Sequence, residues 1–164
     1  MKVVKKGEPV MGKEIERKFL VKNDSWRSPA GGMKYRQGYL STNKERTVRV
    51  RTIRDKGFLA VKGLTKDGMR TEFEYQIPMA DAETLLDEIC ERPLIEKKRY
   101  QITFGEVTWE VDEFFGENRG LIVAEVELDT PAQAFDKPAW IGTDITGDPR
   151  YFNSNLIKHP YSKW

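Results

Sequence analysis

Apolar and polar residues alternate with period two along most of this chain, the pattern of strands with one buried face. Glu14 to Val21 opens it, with Glu14, Glu16 and Lys18 on one side and Ile15, Arg17 and Phe19 on the other. Tyr35 to Leu40 is a second strand. Thr47 to Ile53 alternates strictly, setting Val48 and Val50 against Arg49 and Arg51. Asp55-Lys56-Gly57 then reads as a turn, and Phe58 to Lys62 as the returning arm of a hairpin. A turn about Lys66-Asp67-Gly68 leads into Arg70 to Pro78, where Arg70, Glu72 and Glu74 share a side. Ile95 to Phe104 carries Lys97 and Arg99 on one face. It turns at Gly105 into Glu106 to Phe115, which carries Glu110 and Asp112. Leu121 to Leu128 closes the series with Glu125 and Glu127 on one face.

Helical spacing is rarer. Leu85, Leu86 and Ile89 recur at helical intervals between Ala80 and Glu91, with acids elsewhere and Pro93 as a stop. Asn23 to Arg27 reads as a helix start, Pro29 to Gly32 as a loop, and Ala132 to Trp140 as a short amphipathic piece before a tail at Tyr151 to Leu156. Residues 1–11 read as a leader outside the fold, with Met11 a second start or the leader an added segment. Gly7 to Lys13 imitates a phosphate-binding P-loop. The imitation fails because Glu14 stands where a hydroxyl residue belongs and the segment precedes a strand instead of opening a helix.

The chain has 164 residues, which suggests one domain, here residues 12–164. Lys plus Arg number 28 against 26 Asp plus Glu, a net +2, too balanced for a broad nucleic-acid face. The single Cys90 allows no internal disulfide and reads as a small buried residue on a helix, in keeping with a reducing cytoplasm. No apolar run is long enough for a membrane span. The single His159 lies beside Pro160, so it reads as a surface residue and chemistry centred on histidine is not expected.

Charged residues make up 33% of the chain, and their placement matters more than their sum. Acids recur as Glu14/Glu16, Glu72/Glu74, Glu110/Asp112 and Glu125/Glu127. Bases recur as Lys18, Arg49/Arg51, Lys62, Arg70 and Lys97/Arg99. In several strands the opposite parity is apolar: Val48 and Val50, Phe73 and Tyr75, Val111, and Val126 with Leu128. One such strand alone is an ordinary sheet with a wet face. Repeated pairs of like sign are costly unless an opposite charge sits among them. An antiparallel barrel of about eight strands encloses an interior that holds side chains or one small ligand. Lined this way, its bases suit a compact polyanion and its carboxylates a hard divalent cation such as Mg²⁺ or Mn²⁺.

Glu14-Ile15-Glu16-Arg17-Lys18 resembles the ExExK signature of the CYTH superfamily, the triphosphate tunnel metalloenzymes. Arg49-Val50-Arg51, Lys62, Glu72/Glu74, Lys97/Arg99, Asp112 and Glu125/Glu127 follow in the family's order, from Gly12 to the tail. The compact length and the Tyr151–Leu156 tail resemble small bacterial members acting on inorganic tripolyphosphate. The resemblance implies a mainly β (α+β) fold, an eight-stranded antiparallel closed β-barrel with a few flanking helices. It implies that Lys18, Arg49, Arg51, Lys62, Lys97 and Arg99 grip the triphosphate, and that Glu14, Glu16, Asp112, Glu125 and Glu127 hold Mg²⁺ or Mn²⁺. Glu72, Glu74 and Lys97 are the catalytic candidates, the two acids assisting a second ion or orienting the attacking water. For Arg70 and Glu110 a structural ion pair weighs as much as a place in the site.

The expected chemistry is attack of a metal-activated water on a terminal phosphorus, with the basic set stabilising the leaving diphosphate. The expected partner is a small triphosphate, with neither nucleic acid nor membrane; a homodimer is one assembly this reading allows. Adenylyl cyclase and thiamine triphosphatase chemistries share the tunnel. Cyclic AMP from ATP would identify the first, and hydrolysis of thiamine triphosphate the second. A non-catalytic polyphosphate-binding module does not need so many carboxylates. A nucleic-acid-binding barrel needs exposed aromatics on a basic groove.

Overall fold

A computed structural model of the chain describes residues 15–28, 30–64 and 71–164. Glu14, Arg70, the leader with its P-loop imitation and the expected turn at Lys66-Asp67-Gly68 lie outside the described residues. Nine strands are described, in chain order β1 (Ile15–Val21), β2 (Met33–Ser41), β3 (Arg46–Ile53), β4 (Lys56–Gly63), β5 (Glu72–Ile77), β6 (Ile95–Phe104), β7 (Val107–Phe114), β8 (Ile122–Leu128) and β9 (Ile141–Asp144). A helix α1 (Met79–Thr84) lies between β5 and β6, and a short α2 (Asn153–Leu156) lies near the C-terminus. No helix among the described residues is long and apolar enough to cross a membrane.

The chain divides into two compact units. One is Tyr35–Ile95; the other joins the segment ending at Lys34 to Glu96–Trp164. In the first, β2, β3, β4 and β5 pair antiparallel in sequence order. β3 and β4 meet through a two-residue turn, Arg54-Asp55, with Ile53 opposite Lys56 and Arg54 at φ 55°. Val50, Ala82, Leu86 and Cys90 form this unit's core, with Leu40, Leu59 and Ile77 packed against it. α1 and the π-helical turn Leu85–Ile89 therefore cover one face of the ladder, and the other face is left to the opposite parity. Close packing needs Gly38 on β2: a Cβ there would stand 2.8 Å from Cys90 Cβ and Leu94 Cδ2.

In the second unit the antiparallel order is β6, β7, β8, β1, β9. Its core gathers Phe19, Trp26, Trp109, Val111, Val126 and Trp140 on one side of the ladder. Trp109 sits edge-on to Phe19, Phe135 and Trp140 at centroid separations of 5.6, 5.8 and 5.9 Å. Such edge-to-face contacts add to area burial and pack Phe19 of β1 against Trp109 of β7. β9 is tied to β1 by Ile145 N–H donating to Lys18 O and Lys22 N–H donating to Trp140 O, both at 2.8 Å.

These findings change several expectations. The mainly β, antiparallel class is found, but with nine strands where eight were expected, and neither unit's ladder closes on itself. The added strand is β9, in a stretch rich in Pro, Gly and Asp. Asn23–Arg27 forms a bend and a turn where a helix start was expected, and Ala132–Trp140 is irregular with turns at its ends. The Ala80–Glu91 helix is realised as α1 followed by a π-turn, and Cys90 is buried at its end. His159 is exposed, as expected.

Candidate active site

Register decides which side chains share a face. In the Tyr35–Ile95 unit, Arg49 on β3 stands opposite Ala60 on β4, which stands opposite Glu74 on β5. Strands two apart are about 9–10 Å from each other. The small buried Ala60 leaves the space over which Arg49 and Arg51 reach Glu74. Arg49 Nη2 donates to Glu74 Oε2 at 3.2 Å and Arg51 Nη2 to Oε1 at 3.0 Å. Two residues along, on the same face, Lys62 stands directly opposite Glu72 and pairs with it at 3.1 Å. The three bases and two acids named for this unit thus occupy one face, opposite α1. Burial, then the charge of Arg49, lowers the pKa of Arg51 in spite of Glu74. Three donors on this face find no partner among the described residues: Arg49 Nε, Arg51 Nε and Gln37 Nε2.

The second unit repeats the device with the opposite balance. Glu16 and Lys18 on β1, Glu125 and Glu127 on β8, Glu110 and Asp112 on β7, and Lys97 and Arg99 on β6 share the face away from the tryptophan core. Asp112 is at its centre, 1% exposed. Lys97 Nζ donates to Asp112 Oδ2 at 2.8 Å, and Arg99 grips both oxygens at 2.7 Å. Burial alone would raise the Asp112 pKa; Lys97 and Arg99 overcome it and hold the carboxyl well below the usual range. Burial, assisted by Arg99, pulls the Lys97 ammonium below its ordinary value despite Asp112. Arg99 also pairs with Glu110 at 2.6 Å and approaches Glu125 at 3.6 Å.

At the other edge of this face, acids crowd. Glu16 is opposite Glu127, and Glu110 is opposite Glu125. Lys18 lies 3.2 Å from Glu125 and 3.6 Å from Glu16. Burial opposes its charge, but Glu125 and then Glu16 hold the Lys18 ammonium above its ordinary range. Burial and then the charge of Glu125 push the Glu16 carboxyl up to about 7. Carboxylates that hinder one another's ionisation suit a bound cation, and their hard oxygens suit Mg²⁺ or Mn²⁺. Among the described residues no three acids converge closely enough to hold a metal ion, and Glu14 lies outside them. The tail reaches the same face, with Lys18 Nζ 5.9 Å from the ring centroid of Phe152.

The structure thus gathers Arg49, Arg51, Lys62, Glu72 and Glu74 in one unit, and Glu16, Lys18, Lys97, Arg99, Asp112, Glu125 and Glu127 in the other. Asp112, expected among the metal ligands, has both oxygens engaged by Lys97 and Arg99. Glu110 joins the same network through Arg99. Sequence reasoning passed over Gln37. Only its alternation with Tyr35 and Tyr39, and its register opposite Arg51, mark it.

The family model of the CYTH domain matches residues 12–161. The inorganic triphosphatase of Acetivibrio thermocellus is 53% identical over 154 residues, covering 94% of this chain and 99% of that protein. The inorganic triphosphatase of Nitrosomonas europaea is 36% identical over 152 residues, covering 87% and 95%. The crystal structure of the inorganic triphosphatase NE1496 aligns with TM-score 0.66 at 34% identity, covering 90% of this chain and 95% of that one.

Proposed function

We propose that this chain, which belongs to the CYTH domain family, hydrolyses inorganic tripolyphosphate with the help of a divalent cation, Mg²⁺ or Mn²⁺. The observation that carries the reading is the paired segregation of charge. In each unit every named acid and base among the described residues lies on the sheet face opposite the apolar core. Two relatives named as inorganic triphosphatases support the choice of substrate. The reading includes one domain over residues 12–164. It includes a cytoplasmic location and leaves a homodimer as the assembly to test.

Lys18, Arg49, Arg51, Lys62, Lys97 and Arg99 hold the phosphoryl oxygens and stabilise the charge that moves onto the leaving diphosphate. Arginine forks do this bidentately, lysines as point charges. Asp112 holds Lys97 and Arg99 in place. Glu16, Glu125 and Glu127, with Glu14 and Asp112, are the residues that would hold the cation. When bound, it neutralises phosphate charge and lowers the pKa of water. Glu72 and Glu74 orient the attacking water, Glu74 being fixed by Arg49 and Arg51. Attack in line on a terminal phosphorus breaks one P–O bond of the anhydride and releases phosphate and diphosphate.

A panel of tripolyphosphate, ATP, thiamine triphosphate and pyrophosphate, each with Mg²⁺, Mn²⁺ or neither, tests this. Phosphate released fastest from tripolyphosphate, and only with an ion, is expected. No release with either ion overturns the reading, and cyclic AMP from ATP would replace it with a cyclase.

A further inference from the structure

The basic face of β3 carries a neutral residue that the charge pattern does not explain. Gln37 on β2 is 2% exposed, and its register sets it directly across from Arg51. Tyr35 and Tyr39 flank it on the same parity, while Gly38 turns the other way, against Cys90 and Leu94. Its Nε2 finds no partner among the described residues, and neither does the Nε of Arg49 or of Arg51. All three unmet atoms are donors. The nearby acid, Glu74, already has one oxygen on each guanidinium.

Buried donors without acceptors destabilise a fold. A cation placed among them supplies no acceptor, and an apolar ligand leaves them unmet. A phosphoryl group brings several acceptor oxygens and negative charge, which serves all three. A neutral amide has a further advantage here. It adds a hydrogen bond without adding to the repulsion between two adjacent arginines.

We propose that Gln37 is a substrate-binding residue, whose Nε2 donates to a phosphoryl oxygen of the polyanion held by Arg49 and Arg51. The assignment rests on the triphosphatase reading of the same site. It separates two roles on one face: the guanidinium groups supply attraction, and the amide fixes how the phosphoryl group is turned.

Gln37→Met keeps the length and apolar bulk of the side chain and removes the donor. Calorimetric titration with tripolyphosphate in the absence of divalent ions should show affinity about tenfold to a hundredfold weaker, the usual scale for a hydrogen bond to a charged group. With Mg²⁺ the KM for tripolyphosphate should rise while kcat stays near the wild-type value, as for an interaction equal in the ground and transition states. The ligand-free melting temperature should hold or rise, because an unmet donor has gone. A purely structural amide gives the reverse: a lower melting temperature with KM unmoved. Gln37→Glu, of the same shape but acidic, should weaken tripolyphosphate binding further. Wild-type affinity in either variant overturns the assignment, as does failure of both to fold, since the amide would then be a requirement of the fold. Wild-type protein that neither binds nor hydrolyses tripolyphosphate overturns the site reading itself, and the role of Gln37 with it.

Discussion

The two charged faces differ in their balance. On the face of β3, β4 and β5, three bases meet two acids among the described residues, and buried donors are left over. On the face of β6, β7, β8 and β1, three bases meet five acids among the described residues, and Asp112 alone takes three hydrogen bonds. The first face is short of acceptors and the second is crowded with them. A sheet face with surplus donors is prepared for an anion. One with surplus carboxylates is prepared for a cation and strains without it. The same structural device, charges two residues apart on successive strands, yields opposite appetites through the choice of a few residues.

The largest expected effect tests the saturated side. Asp112→Ala leaves Lys97 and Arg99 buried without their main acceptor, and breaking a buried ionic group in this way costs about 3–5 kcal/mol. Urea unfolding of the substrate-free protein measures it; a loss below about 1 kcal/mol would show that the network relaxes freely. On the donor-rich face, Glu74→Gln should lower turnover of tripolyphosphate by about 10²–10⁴, the contribution of a positioned acid or base. Metal-free binding of tripolyphosphate should not weaken, because a competing carboxylate has been neutralised. Weaker binding would show that Glu74 chiefly aims Arg49 and Arg51.

A third test is the acid crowding around Glu16. Its carboxyl, moved from the ordinary 4.5 to about 7, binds a proton in the folded state that the unfolded chain has already lost. The metal-free protein should therefore lose stability as pH rises between those two values and level off above. Glu16→Gln removes that slope, and thermal melts across the range read it out. The same proton competes with a cation, so the Mg²⁺ concentration for half-maximal activity should climb as pH falls below about 7. The smallest effect is at the exposed rim, where Arg17 pairs with Asp144. Burial works against that carboxylate, but hydrogen bonds from Thr146 and Arg17 bring it down to about 2. Its stabilisation is complete above the ordinary 3.8 and fades as pH falls toward about 2. Asp144→Asn should cost less than about 1 kcal/mol at neutral pH, because both partners are substantially exposed.

Much of this was legible in the chain because strand parity is strict. Once Arg49 and Arg51 alternate with Val48 and Val50, burial of Val50 fixes the arginines on the other face. The hairpin at Gly105 likewise places Arg99 opposite Asp112. What escaped notice had no pattern of its own. β9 is four residues long and is held to β1 by register, not by an apolar repeat. Asn23–Arg27 has helix-start residues but too few that follow to extend its turn into a helix, and Trp26 is drawn onto Tyr100 instead. Gln37 was overlooked because an isolated polar residue in a strand carries no charge to count. The clamp on Asp112 was legible only in part, since its pairing with Lys97 depends on a diagonal reach that periodicity does not encode.

Ala60 has a consequence for how such chains are compared. Its methyl group is the clearance under the Arg49–Glu74 bridge, so each carbon added there pries the latch open while every ionisable residue stays in place. A chain drifting to valine or leucine at this position would keep the full roster of signature charges and yet unfasten Glu74 from Arg49. Volume at one silent, uncharged position therefore belongs beside the charges in deciding which proteins of this shape still work.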